Sequence, residues 1–173
     1  MASLAVTAVG ADRPGIIARV TGVLLDHGGN LQDSTMTILG GQFAIVLLVE
    51  TDADPGTLES DLAAATGDLG LVVAVRPVGE GAASPPPTHM LSVYGADRPG
   101  IVHAVATALA DRSVNVTDLT TRVLEGERPV YAMVLEVSVP ADVNPDELAA
   151  QLRGGDGEEA MEASIHPLDV ATF

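Results

Sequence analysis

Gly10-Ala11-Asp12-Arg13-Pro14-Gly15 recurs letter for letter as Gly95-Ala96-Asp97-Arg98-Pro99-Gly100, each time after a short apolar run and ahead of a helix-like pattern. The correspondence holds at a constant offset of 85 (95 minus 10) through Asn30 and Asp33, which answer to Asn115 and Asp118. One small fold is therefore written twice. A chain of 173 residues then divides into two domains of roughly 80 residues each, with cores small enough that packing on one another or on a second subunit is expected.

In the first copy Ser3 to Val9 reads as a strand, and Pro14 to His27 places Ile16, Ile17, Val20, Val23 and Leu24 on one helical stripe. Gly28-Gly29 supplies a left-handed stop. Asn30 to Ile38 alternates as a strand, Gly40-Gly41 turns a hairpin, and Gln42 to Glu50 runs back. Asp54 with Pro55 is a cap followed by a first-turn proline, opening a helix through Thr66, and Leu69 to Arg76 reads as the fourth strand. The second copy repeats the order at Met90 to Tyr94, Pro99 to Ala110, Asn115 to Leu124, Val130 to Val139, Asn144 to Leu152 and Met161 to His166.

The order βαββαβ predicts an α+β fold: two ferredoxin-like domains, each a four-stranded antiparallel sheet with two helices on one face. Domain 1 is expected over residues 1–79 and domain 2 over 88–173, joined by a Pro/Gly/Ala linker at 80–87 that holds three consecutive prolines. Phe43 to Val49 is continuously apolar, as is Leu69 to Val75 apart from Gly70. That is the pattern of strands buried on both faces, so the open sheet face or an edge is expected to be covered by another copy. The copies differ in two places. Ser113-Val114 replaces Gly28-Gly29 at the helix exit, and Tyr131 answers to Phe43 at an offset of 88, which makes the second hairpin three residues longer, with Glu125, Gly126, Glu127 and Pro129.

A formal net charge of −16, with every basic side chain an Arg, argues against a nucleic-acid surface, because phosphate binding needs clustered positive charge. No Cys is present, which removes disulfides, thiolate metal sites and a Cys nucleophile. Apolar stretches are broken by Pro or Gly before about 18 residues, and the opening lacks a basic leader, so no membrane span is expected and a cytoplasmic location is the default. With 2% aromatic residues there is no stacking platform for bases or flavins. No phosphate loop, His-Glu-x-x-His or Gly-x-Ser-x-Gly pattern occurs, and His27, His89, His103 and His166 are scattered. No cofactor or metal is expected.

The Asp-Arg-Pro-Gly loop has a sufficient structural account: proline at the first helical position, with the preceding Asp12 or Asp97 accepting bonds from first-turn amides. It has a chemical account too. A glycine at Gly15 or Gly100 lets a ligand approach exposed N–H groups, where the helix dipole favours a carboxylate. Asn30 and Asn115 follow fifteen residues after those glycines. An Asn amide donates to a carboxylate and accepts from an ammonium, though a turn role explains it equally well. Asp33 and Asp118 could pair with an ammonium or simply face solvent.

Together Val6 to Thr21, Leu24 to Asp33 and the second-copy Ser-Val-Tyr-Gly-Ala-Asp-Arg-Pro-Gly-Ile-Val with Asn-Val-Thr-Asp resemble a tandem ACT-domain protein over essentially the whole chain. Within that family the chain is most similar to the glycine cleavage system transcriptional repressor type, which is two such domains and little else. Similar domains head formyltetrahydrofolate deformylases and phosphoserine phosphatases, whose catalytic domains have no room here. The resemblance implies a regulatory sensor that holds an amino acid where one domain's loop and helix start meet a strand of a neighbouring domain. Its ligand residues would be Asp12, Arg13, Gly15 and Ile16 with Asn30, and Asp97, Arg98, Gly100 and Ile101 with Asn115.

The expected function is a non-catalytic, allosteric regulator that binds a small amino acid, glycine or serine, and modulates a protein partner such as a transcription factor. A homodimer is expected. The alternatives are a ligand-free assembly module, a regulatory subunit of a metabolic enzyme, or a small enzyme.

Overall fold

The computed structural model describes residues 2–79, 84–126, 129–153 and 161–168. The chain falls into two units, residues 1–82 and 83–173. The first runs β1 (Ala2–Ala11), α1 (Ile16–Asp26), β2 (Asn30–Leu39), β3 (Gln42–Thr51), α2 (Pro55–Thr66) and β4 (Val72–Pro77), with a 3-10 turn at Gly67–Leu69. The second runs β5 (His89–Ala96), α3 (Ile101–Ala110), β6 (Asn115–Leu124), β7 (Val130–Ser138), α4 (Pro145–Leu152) and β8 (Met161–Pro167). Each unit is a four-stranded antiparallel sheet, in the orders β2-β3-β1-β4 and β6-β7-β5-β8. The two α+β ferredoxin-like folds expected from the element order are present.

The helical stripes land where their spacing puts them except at Ile17, which is exposed, and Val23 packs partly buried against the core. Ile16, Val20 and Leu24 of α1 are buried, as are Ile101, Val105 and Leu109 of α3. With Leu58 and Leu62 of α2, the α1 residues close over Leu4, Val6, Phe43, Leu47 and Val49 in one core, so both helices share a sheet face. Gly40 and Gly41 have φ of 58° and 77°, the left-handed pair a two-residue hairpin needs. The Asp54 carboxylate accepts from the Thr57 N–H at 2.9 Å and caps α2. Asn144 does the same for α4, ahead of Pro145.

Three expectations are corrected. Pro14 and Pro99 precede the helices instead of opening them: α1 and α3 begin at Ile16 and Ile101, and the N-caps are Gly15 and Gly100 at φ of 93° and 92°. The chain enters each helix through left-handed backbone, which only glycine adopts freely. Neither helix has a side-chain cap, so Asp12 and Asp97 do not serve as one. The fourth strand starts three residues late because Gly67–Leu69 forms a 3-10 turn that ends on left-handed Gly70.

Strand β3 is apolar on both faces of the sheet. β3 alternates, with Phe43, Ile45, Leu47 and Val49 inside while Val46 on the other face is 42% exposed. Val9 and Val72 share that open face and are also exposed. A continuously apolar run here marks one face in the core and one apolar face left open.

At the helix exit Gly28 is left-handed, and Ser113, its counterpart at the 85 offset, adopts the same conformation at φ 56°. The glycine-free exit therefore keeps the backbone shape and carries a side chain in it. Five residues separate β6 from β7 where two separate β2 from β3, in line with the longer hairpin, although Glu127 lies outside the described residues. Of the expected linker, residues 80–83 lie outside them too. Its later part is anchored, since the Ser138 hydroxyl donates to the Pro85 and Pro86 carbonyls at 2.8 and 2.6 Å. Among the described residues no helix is long and apolar enough to cross a membrane.

Candidate functional site

Each repeated loop leaves its sheet and delivers a helix with bare amides. The α1 ladder begins with Arg19 N–H to Gly15 C=O at 3.0 Å, and that of α3 with Ala104 N–H to Gly100 C=O at 2.9 Å. The N–H groups of Ile16, Ile17 and Ala18, and of Ile101, Val102 and His103, thus have no intrahelical acceptor and no side-chain cap. A Cβ built on Gly15 or Gly100 meets nothing within 4 Å. The glycine is required by backbone conformation, and the space above it is open. Gly10 has a different role, since a Cβ there would stand 2.7 Å from Leu71 Cδ2.

Cavities adjoin both helix starts. The first, about 310 Å³, is lined by Asp12, Arg13, Gly15 and Ile16, and continues along Ala18, Met36 and Phe43. The second, about 790 Å³, is lined by Asp97, Arg98, Gly100 and Ile101, and continues along His103 and Tyr131. Eight of the ten expected ligand residues are therefore gathered, four to each cavity. Arg98, on the wall of the second, carries the one buried side-chain polar atom among the described residues that has no hydrogen-bond partner, its Nε. A buried guanidinium N–H without an acceptor is unfavourable, and a swing of Arg98 toward a carboxylate in the cavity would relieve it.

Asn30 and Asn115 are not brought to these cavities. The Asp12 N–H donates to the Gly41 carbonyl at 2.9 Å, which fixes the loop at the hairpin end of the sheet. Asn30 opens β2 at the other end, opposite Glu50, and Asn115 likewise faces Ser138. Asp33 sits on the open sheet face in register with Leu48, its carboxylate accepting from the Ser34 N–H at 2.7 Å. None of these groups can meet a small ligand held at its own unit's loop.

Sequence reasoning missed the cavity walls. Ala18 and His103 are equivalent at the 85 offset, and Phe43 and Tyr131 at 88. Phe43 was paired with Tyr131 only to measure the hairpin, and extending the pairing to every position would have added Ala18 and His103. It also missed that β2 and β6 are exposed along their whole lengths. The helices cover the inner strands and leave these edges out, so Leu31 and Met36 remain exposed beside Ile17 of α1, and Ile38 is exposed as well.

Two ACT-domain sequence models match the chain, one over residues 3–76 and one over residues 89–153. Over 79 residues the chain is 42% identical to a UPF0237 protein of Methanopyrus kandleri, a match taking in 44% of this chain and 88% of that one. The glycine cleavage system transcriptional repressor of Escherichia coli is 29% identical over 126 residues, covering 72% of this chain and 66% of the repressor. Among solved structures, an unknown protein of Galdieria sulphuraria superposes with a TM-score of 0.80 at 27% identity, covering 96% of this chain and 98% of that one.

Proposed function

The chain belongs to the ACT-domain family, and from that premise we propose that it is a non-catalytic regulator that binds a small amino acid, glycine or serine. The observation that carries this reading is the duplicated loop, which sets uncapped helix amides beside an Arg, with Arg98 Nε buried and unpaired. A carboxylate docked there gains backbone N–H bonds, the helix dipole and a guanidinium. The ammonium then needs an acceptor from outside the unit. An Asn30 or Asn115 side chain of a neighbouring domain is suited to it, and a homodimer formed through the exposed β2 and β6 edges would bring one within reach.

A ligand that bridges domains favours the arrangement in which both of its ends are held. Binding has to differ between two arrangements by about 1 to 3 kcal/mol to act as a regulatory signal. The recipient is a protein, by analogy with the repressor a transcription regulator of amino-acid or one-carbon metabolism in the cytoplasm. The charge of −16 leaves DNA contact to that partner. A second reading, an assembly module without ligand, draws on the exposed β2 and β6 strands alone.

Titration calorimetry with glycine and L-serine separates the two. The sensor reading expects saturable heat that is lost in the double variant Gly15→Val, Gly100→Val; the assembly reading expects no heat from any of the twenty amino acids.

A further inference from the structure

The two cavities occupy equivalent places, and two positions on their walls differ in hydrogen-bonding chemistry. Ala18 in the first becomes His103 in the second, and Phe43 becomes Tyr131. Met36, on the wall of the first, has Thr121 at its position on β6, facing Met133 as Met36 faces Ile45, and Thr121 is not on the wall of the second. Two apolar wall side chains are thus replaced by an imidazole and a phenol, each able to donate and accept hydrogen bonds. The helix-start glycine and the Asp-Arg pair before it are unchanged. The part that would hold an amino acid's common backbone is kept, and the part that would face its side chain is altered.

We propose that the two copies are sites of different specificity: the first for an amino acid with no side chain or an apolar one, the second for one whose side chain carries a hydrogen-bonding oxygen. The proposal rests on the amino-acid reading above and deepens it. In the first cavity Ala18, Met36 and Phe43 give a side-chain oxygen no partner, so a hydroxyl there loses water without replacement. In the second, Tyr131 from β7 and His103 from the second half-turn of α3 flank the same loop, and the cavity is more than twice as large. A site built to bond a hydroxyl discriminates against the isostere lacking it far better than an apolar site discriminates against the hydroxyl.

L-Serine and L-alanine differ by that one oxygen and make the test. With the second loop disabled by Gly100→Val, the remaining site should prefer L-alanine or glycine over L-serine. With the first disabled by Gly15→Val, the remaining site should prefer L-serine over L-alanine by about tenfold. On that second background, Tyr131→Phe with His103→Ala restores the first cavity's residues, which an equivalent position already accepts. The preference should then collapse toward unity while L-alanine affinity is kept. An unchanged serine-to-alanine ratio in the double variant overturns the specificity assignment and leaves the sensor reading intact. Absence of heat from glycine, alanine and serine in the unmodified protein overturns both.

Discussion

Gly15 caps the start of α1 and Asn30 begins β2 just past that helix's other end, so the eleven residues of α1 stand between them. At 1.5 Å per residue the helix holds them about 16 Å apart, several times the span of a zwitterion's two charged ends. The sequence places them fifteen residues apart and both suited to the same ligand. The fold puts them at opposite ends of one unit, so any ligand touching both must touch two domains.

That separation predicts complementation between chains. On a Gly100→Val background, Gly15→Val removes the loop and Asn30→Ala removes the amide, and each variant alone should bind glycine at least roughly tenfold more weakly. Mixed in equal amounts and allowed to exchange, they should recover one intact site per mixed dimer, with the loop from one chain and the amide from the other. Calorimetric titration of the mixture reads this directly. A mixture no better than its two components would show that Asn30 serves no ligand across a dimer.

Two glycines in the same segment should respond oppositely to alanine. Gly22 lies inside α1 with open space where a Cβ would sit, so Gly22→Ala should stabilise the first unit by about 0.5–1 kcal/mol through helix propensity. A Cβ on Gly29 would stand 2.8 Å from the Leu24 carbonyl oxygen and 2.9 Å from Val49 Cγ1. Gly29→Ala should therefore destabilise by about 1–3 kcal/mol, because backbone and a buried side chain must both yield. Urea unfolding of the two variants would settle the order.

The elements were legible because the apolar period and the turn residues agree, as at Gly40-Gly41 and at Asp54-Pro55, where hairpin and cap form as read. The helix starts were misplaced because Pro14 fits either the first helical turn or the turn before a left-handed glycine, and composition does not tell these apart. Exposure of β2 was illegible for a different reason. Leu31, Met36 and Ile38 read as strand residues with a buried face, but whether a helix reaches over an edge strand depends on where both helices pack. The site was half legible: loop residues adjacent in sequence are adjacent in space, whereas Phe43 and Tyr131 reach the cavities only through strand pairing.

Ser113 offers a stabilising substitution. It takes the left-handed backbone that Gly28 takes in the first copy, at φ 56°, and a side chain there costs about 1–2 kcal/mol relative to glycine. Part of the gain from glycine is offset by its greater freedom in the unfolded chain. Ser113→Gly should therefore raise stability by about 0.5–1 kcal/mol. A lowered Tm in calorimetry would mean the Ser113 side chain contributes something beyond its backbone shape.

The last prediction concerns pH. The Arg19 guanidinium donates to the Asp68 carboxylate and to the Ala65 carbonyl, tying α1 to the turn after α2. Chiefly through that hydrogen bond, Asp68 is held below the ordinary aspartate range. A carboxylate whose folded value is lowered adds stability above its unfolded value and loses it as pH falls through the folded one. Asp68→Asn should therefore lower Tm most near neutral pH, and its melting curve should approach that of the unmodified protein as the pH is taken below about 4. Both groups are largely solvent-accessible, so raising the salt concentration to about 1 M should shrink the neutral-pH difference as well. The second unit has Ala104 at the position of Arg19 and so lacks this tie. If the two proteins melt with the same separation at every pH, the ion pair is not what fixes that turn, and the packing of Leu69 against the core is left to account for it.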